Sequence, residues 1–405
     1  MSNTVTIHPP LAERVHRLEV SQTIAMAQKA RELAEKGLPV IKLTLGEPDF
    51  QTPDHIKAAA KQAIDEGFTY YTPVPGIQEL RQGIAQKLRR DNGLPWEAKN
   101  IVVSTGAKQS LANIFLALLN PGDEVVILAP YWVSYSEIVK LAEGVPVILT
   151  SGVEQDFKVS AAQVAAAITP RTKAILYSSP SNPTGAVFSR AELEALAEVV
   201  AHHPHVFVVA DEIYEYITFV EDYFSIGAIP AIQDRVVTVN GFSKGFAMTG
   251  WRVGYMAGPD WLAQACDKIQ GQVTSGTCSI AQKAALAAIT SDLGPTMAMK
   301  AAYQRRRDLM IGLSADIPGF KTNIPQGAFY LFPDMSAYFG KSFDGKMIKD
   351  ADDLCFYLLS EAHVATVPGS AFGAPNCIRI SYAASDEELV EAMARLRLSL
   401  AKLME

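Results

Sequence analysis

The sequence predicts an α/β fold, a mostly parallel sheet covered by helices. Three observations carry that expectation. Between residue 100 and about residue 260, short β-branched runs such as "EVVILAP" and "VFVVA" show no polar alternation, as expected of strands covered on both faces. Helical stretches fall between these runs, as the crossovers of a parallel sheet require. Polar and ionisable residues gather just after the strands, where such sheets collect their ligands.

In chain order, residues 11–45 read as largely helical and run into an extended "VIKLTLGEPDF". "NIVVSTG" is a strand ending in a glycine turn, and "AKQSLANIFLALLN" has helical periodicity that stops at "PGD". "EVVILAP" is a strand, followed by a helical "YWVSYSEIVKLAEG" that ends at Gly144. Strands "VPVILT" and "KAILYSS", a helix in "SRAELEALAEVVAHH", and strands "VFVVADEIY", "RVVTVN" and "WRVGYMAG" complete the alternation. From about residue 295, "TMAMKAAYQRRRDLMIGLSAD" reads as a long helix with a basic patch. "GAFYLFPD", "HVATVP" and "CIRISYA" follow as strands of a smaller sheet. "SDEELVEAMARLRLSLAKLM" closes the chain as an amphipathic helix opened by a Ser385–Glu388 capping box. The expected organisation is a large domain over 48–295 and a small domain built from 1–47 and 296–405.

A chain of 405 residues exceeds one simple core, in keeping with two domains. The net charge of −7 argues against general attraction to nucleic acid or to an anionic membrane. A local cluster of cations can still hold a small anion. The opening residues lack the apolar core of a signal peptide. The longest apolar runs, such as "IFLALL", fall far short of the roughly 18 residues that a spanning helix needs. Cys266, Cys278, Cys355 and Cys377 show no C-x-x-C spacing and suggest reduced thiols. The expectation is a cytoplasmic protein with no nucleic-acid or membrane partner.

The stretch "NGFSKGFAMTGWRVGY" places two cations, Lys244 and Arg252, in a strand–turn–strand unit that otherwise looks buried. Other polar groups fall at equivalent places. After "IVVS", Gly106 permits close backbone approach and the following helix offers free N–H groups, a seat for phosphate. In "PSNPTGA", two prolines hold the chain extended around Asn182 and aim its amide from a fixed position. Asp211 ends an apolar strand, a costly place for a carboxylate without a positive partner. Taken singly, Asp211 could be a helix N-cap, Asn182 a turn residue, Tyr214 a half-buried tyrosine and Arg379 an edge-strand charge. One ligand accounts for all of them together: a phosphorylated, cationic heteroaromatic ring bearing an aldehyde. Its phosphate would take the helix N-terminus and Arg252, its ring nitrogen Asp211, and its aldehyde Lys244.

The stretches "LGEPDFQTPDHIKAA", "YTPVPGIQELR", "STGAKQ", "PGDEVVILAPYWVSY", "ITPRTKAILYSSPSNPTGAVF", "DEIYE", "NGFSKGFAMTGWRVGY", "GAFY" and "IRISYA" follow one another in family order. With them the chain resembles the class I aminotransferases, fold-type I enzymes that use pyridoxal 5′-phosphate, and most of all their bacterial aspartate aminotransferase branch. The resemblance runs from about residue 11 to the C-terminus. It implies a seven-stranded sheet, a homodimer with shared active sites, and transfer of an amino group from an L-amino acid, aspartate first, to 2-oxoglutarate. Aromatic, alanine or broad specificity, or a C–S lyase, are the alternatives on the same fold. A silent sensor fused to a DNA-binding module is disfavoured, because no basic N-terminal helix-turn-helix is present.

By the same resemblance, Lys244 captures the cofactor's aldehyde and later moves the substrate proton as base and acid. That work needs a pKa well below the usual value of about 10.4. Asp211 keeps the pyridine nitrogen protonated, while Tyr214 and Asn182 hydrogen-bond the ring's 3′ oxygen. Trp132 lies against the ring face. Gly106, Ala107, Lys108, Ser243 and Arg252 hold the phosphate, and Tyr71 reaches the phosphate of the neighbouring subunit. Arg379 clamps the substrate's α-carboxylate, Gly46 closes over it, Asn182 and Trp132 also border the substrate, and Lys108 and Ser21 meet the distal carboxylate. Two departures stand out. Gly241 occupies the place of a phosphate-binding serine in many relatives, and "GQVTSGTCSIAQ" lacks the arginine that animal-type enzymes place on the distal carboxylate.

Overall fold

In the computed structural model of the chain, residues 11–19 and 22–404 are described. The central sheet has seven strands: β1 (Ile101–Ser104), β2 (Glu124–Ala129), β3 (Val145–Thr150), β4 (Thr172–Ser178), β5 (Phe207–Asp211), β6 (Val236–Gly241) and β7 (Gly254–Ala257). Their order across the sheet is β1-β7-β6-β5-β4-β2-β3. Every neighbouring pair is parallel except those of β7, which runs antiparallel to both β1 and β6. That reversal brings the amino end of β7 to the same side of the molecule as the carboxyl ends of the others.

The apolar runs form this sheet because both of its faces are covered. Val125 and Ile127 of β2 point into one apolar cluster, together with Leu111 and Phe115 of helix α1 (Ala107–Leu118) and Val139 of helix α2 (Ser134–Leu141). Val126 and Leu128 point into the opposite cluster, with Leu193, Leu196 and Val200 of helix α3 (Arg190–Ala201). Helix α3 opens on a capping box: Ser189 N donates to Glu192 Oε2 at 2.7 Å, and Glu192 N to Ser189 Oγ at 3.3 Å. Strand β3 departs from the expectation of full cover. It is a partly exposed edge strand, and its Pro146, which has no donor to give, is tolerated there.

Beyond the sheet, α4 (Gly294–Ser314) is the long helix expected from residue 295, and α5 (Asp386–Met404) closes the chain. The expected cap is present, with Glu388 N donating to Ser385 Oγ at 3.2 Å. Met299, Tyr303 and Met310 of α4 share one apolar cluster with Leu389 and Leu396 of α5 and with Met26, Ala30 and Leu43 from the other end of the chain. "HVATVP" divides between two small sheets. Val364–Ala365 pairs in parallel with Ile41–Lys42, whereas Val367–Pro368 joins a three-stranded antiparallel sheet. In that sheet Ile378–Ser381 is the central strand, flanked by Val367–Pro368 and Tyr330–Leu331, so Arg379 is not an edge residue. Among the described residues, no helix is long and apolar enough to cross a membrane. All four cysteines are unpaired.

Candidate active site

A cavity of about 320 Å³ opens at the carboxyl ends of the parallel strands. The turn after β1 brings Ala107 and Lys108 to it, and the turn after β2 brings Trp132. Asn182 arrives after β4, Asp211 and Tyr214 at the end of β5, and Ser243 and Lys244 after β6. Arg252 enters from the amino end of β7, and Gly46 and Arg379 close the cavity from the small sheets' side. Gly106 lies directly behind Arg252. Two expected residues lie elsewhere: Tyr71 is 98% exposed and does not line this cavity, and Ser21 falls outside the described residues.

The expected phosphate seat is built largely from backbone. Gly106 has φ +82°, a conformation that side-chain-bearing residues rarely adopt, and a Cβ there would fall 2.4 Å from Arg252 Nη2. No side chain caps helix α1, and with Gln109 N donating to Gly106 O at 3.0 Å, the N–H groups of Ala107 and Lys108 are left for an anion. Arg252 holds a positive φ of 56°, and its Nη1 donates to Thr249 O at 3.0 Å. A non-glycine residue held there is a local strain of the kind that collects at ligand sites. Gly241 also has a packing reason. A Cβ at 241 would approach Gly254 Cα to 2.9 Å, so a serine would not fit between β6 and β7 without displacing backbone.

Asp211 is 4% exposed and no helix follows it, which removes the N-cap reading. Its Oδ2 accepts from Tyr135 Oη at 2.7 Å and its Oδ1 from Ile213 N at 3.2 Å. Burial pushes its pKa up to about 6, against the pull of those two hydrogen bonds and of Lys244. A buried carboxylate of this kind fits a cationic ring nitrogen. Tyr214 is buried, and its hydroxyl shares a 2.6 Å hydrogen bond with that of Tyr330.

Arg379 is 2% exposed. Its Nη1 donates to Asn182 Oδ1 at 2.9 Å and its Nη2 to Thr44 O at 2.5 Å, while its Nε has no partner. The guanidinium lies 4.6 Å from the centre of the Tyr330 ring and 4.9 Å from that of Phe372. Among the described residues it makes no ion pair, and burial pulls its pKa down. A buried cation without a counter-charge calls for an anionic ligand. Because arginine only donates, Asn182 must turn its oxygen toward Arg379, which leaves its NH₂ for other partners.

Lys244 Nζ donates to Gly46 O and stands 5.8 Å from the centre of the Tyr214 ring. Burial, reinforced by the Arg379 and Arg252 guanidiniums, pushes its pKa down to about 8, against the opposing pull of Glu47 and Asp211. A lysine in that state is a usable nucleophile near neutral pH. Competitive acetylation of the cofactor-free protein by acetic anhydride, read by peptide mass spectrometry, should therefore give Lys244 a midpoint near 8. Exposed lysines should titrate about two units higher, near 10.4. Lys108 is exposed at the cavity mouth, with its Nζ 4.8 Å from the centre of the Trp132 ring. Partial burial and then the nearby Arg252 lower its pKa.

Tyr135 and Tyr330 belong to the site but escape sequence reasoning. The signal for Tyr135 was its position three residues after Trp132, which starts the turn into α2. Tyr330 lay within the matched "GAFY", where nothing in the tetrapeptide separates a site tyrosine from a core one.

Fold and site together place a buried lysine of lowered pKa and a buried, unpaired arginine in one cavity at the carboxyl ends of a mostly parallel sheet. The chain belongs to the aminotransferase class I and II family, whose model matches residues 39–396. It is a pyridoxal 5′-phosphate-dependent transaminase. An aspartate/prephenate aminotransferase of Cereibacter sphaeroides is 50% identical over 390 residues, 96% of this chain and 98% of that one. The crystal structure of the aspartate aminotransferase from Rhizobium meliloti superposes with a TM-score of 0.94 at 43% identity, covering 98% of this chain and all of that one. An aspartate aminotransferase from Thermus thermophilus, solved with maleate, gives 0.91 at 42% identity over 97% of this chain and 100% of that one.

Proposed function

We propose that this transaminase moves the α-amino group of aspartate to 2-oxoglutarate, as a cytoplasmic homodimer. The observation that carries the substrate is the pair of cations, Arg379 inside the cavity and Lys108 at its mouth, neither of them ion-paired among the described residues. A substrate with two carboxylates satisfies both. The Thermus thermophilus structure with maleate, itself a dicarboxylate, and the names of the relatives support the same reading.

The bound cofactor supplies an aldehyde that captures the amino group and a ring that takes up the electrons left at Cα. The chain's residues do the rest. The free first-turn amides of α1, Ser243 and Arg252 would bind the phosphate, and Trp132 would border the ring. Asp211, held in place by Tyr135, keeps a proton on the ring nitrogen. Tyr214 and the NH₂ of Asn182 orient the ring oxygen. Arg379 would hold the substrate's α-carboxylate, and Lys244 Nζ would take up the proton released from Cα and hold it for return. Gly46 closes over that carboxylate. Ser21 would join Lys108 on the distal carboxylate. The exposure of Tyr71 supports a role in a neighbouring copy's site. A small domain made from both chain ends, 1–47 with 296–405 against 48–295, fits the shared apolar cluster and the pairing of Ile41–Lys42 with Val364–Ala365.

Lys108→Ala tests the substrate. A charge-assisted contact contributes about 1.5–3 kcal/mol, so the aspartate-to-phenylalanine ratio of kcat/KM should fall roughly 10- to 150-fold. Cofactor occupancy should hold, because backbone amides that alanine retains bind the phosphate. Arg379→Ala should instead damage all donors together. Equal loss for aspartate and phenylalanine in the Lys108 variant would remove the aspartate assignment. The Cereibacter sphaeroides name makes prephenate an acceptor to assay beside 2-oxoglutarate.

A further inference from the structure

Residues 44–50 pass the cavity, which Gly46 lines; Thr249 Oγ1 donates to Glu47 in the middle of the segment, and both of its ends are held as well. At the inner end, Thr44 O accepts from Arg379 and Gly46 O from Lys244. Both donors are wanted elsewhere during turnover, Arg379 by the substrate carboxylate and Lys244 by the cofactor's aldehyde and the moving proton. The inner attachments are thus weakest when the segment's position matters most.

The outer attachment uses groups that no step of the reaction calls on. Asp49 Oδ1 accepts from Arg306 Nη1 at 2.8 Å and from Tyr303 Oη at 3.2 Å. Arg306 is only 7% exposed, and its Nε also reaches Asp386 Oδ1 at 3.2 Å, at the first turn of α5. The guanidinium lies 5.4 Å from the centre of the Phe50 ring, which meets the Tyr303 ring edge-on at 5.5 Å. One buried arginine on α4 therefore ties the segment to both long helices.

There is little slack between this clamp and the chemistry. A Cβ on Gly46 would fall 2.3 Å from Tyr330 Oη, and Tyr330 in turn bonds Tyr214 and underlies the Arg379 guanidinium. A shift of the segment pushes on Tyr330 and, through it, on the carboxylate clamp. We propose that Arg306, with Asp49 and Asp386, is a positioning device that keeps Gly46 and Tyr330 in register while Lys244 and Arg379 are engaged with their ligands. The proposal rests on the transaminase reading for the identity of those ligands, but not on aspartate as the donor.

The test uses Arg306→Met, with Asp49→Asn as a milder variant that leaves Arg306 paired to Asp386. Arg305→Met is the control, because exposed Arg305 also bonds Asp386 but does not touch Asp49. For Arg306→Met, KM should rise roughly tenfold for the best amino donor and for the oxo acid alike, with kcat within about threefold. In the cofactor-free protein, amide hydrogen exchange over 44–50 should quicken by about tenfold or more, with β2, β4 and β5 unchanged. Asp49→Asn should show both effects in smaller measure, and Arg305→Met neither. An unchanged KM despite faster exchange, a general rise in exchange, or an equal effect from Arg305→Met would each overturn the proposal. Failure of the aspartate assignment would show instead as poor aspartate turnover by the unaltered enzyme and would leave the exchange result untouched.

Discussion

Lys244→Ala should lose roughly 10²–10⁴-fold in kcat/KM from the proton transfer alone, for every amino donor. Lys244 Nζ stands over the cavity at the end of β6, and its depressed pKa of about 8 lets the free amine be populated near neutral pH. Asp211 lies on the same cavity but is committed to Tyr135 and Ile213 N, and Tyr214 to Tyr330, so neither replaces it. The phosphate seat is untouched by the substitution, so the cofactor should still be retained. Single-turnover measurements with cofactor-saturated protein would separate lost chemistry from lost binding. In the unaltered enzyme, borohydride should fix the cofactor on Lys244. Recovery of the label on another lysine, or residual turnover within threefold in the variant, would end the assignment.

Lys87→Met should unfold the protein more readily by about 3–5 kcal/mol, the usual result of leaving buried charge unpaired. Lys87 is 1% exposed and donates to Glu215 Oε1 and, at 2.7 Å, to Asn92 Oδ1. Asn92 Nδ2 donates in turn to Glu215 Oε2 at 2.8 Å and to Glu212 Oε2 at 3.3 Å, and Ser225 to Glu212 Oε1 at 2.6 Å. One buried cation thus serves two buried carboxylates, immediately beyond Asp211. Burial and the neighbouring Glu215 push the Glu212 pKa up to about 8. A carboxyl raised in this way contributes stability that is complete below its unfolded value of about 4.5 and is lost as the pH climbs through about 8. Removing Lys87 strengthens that dependence, so the variant's deficit in urea midpoint should be largest above pH 8 and shrink toward pH 5. Adding Glu215→Gln should restore much of it. A deficit under about 1 kcal/mol at pH 8 would mean that water or a shifted side chain already serves the pair.

Much of the sheet was legible because a strand covered on both faces leaves a nearly continuous apolar run, as in "EVVILAP" and "VFVVA". The turns that follow those strands exposed the positions of Gly106, Asn182, Asp211 and Lys244 for the same reason. What stayed hidden depends on distant partners. "VPVILT" reads like a covered strand, yet which strand ends up at an edge is a property of sheet order. "HVATVP" holds two short strands whose separation is decided by partners in residues 41–42 and 378–381. Tyr135 and Tyr330 carry no local mark that tells a hydrogen-bonding tyrosine in a cavity from one in a core. The Asp49–Arg306–Asp386 arrangement joins three segments spread along the chain, and no spacing in the sequence announces it.

The reversed strand β7 also sets when, during synthesis, the proposed phosphate seat can be completed. The chain enters the sheet with β1, but Ile101–Ser104 acquires its neighbour only when Gly254–Ala257 arrives, and Arg252 reaches Gly106 with it. A chain interrupted before residue 252 could assemble β2 to β6 from successive neighbours while leaving β1 unpaired and the phosphate seat half made. Pairing over so long a separation is slow, because the intervening loop must be ordered before the contact rewards it. Arg379 comes later still. Nascent chains should therefore ignore the cofactor through most of elongation and acquire the phosphate seat before the carboxylate clamp.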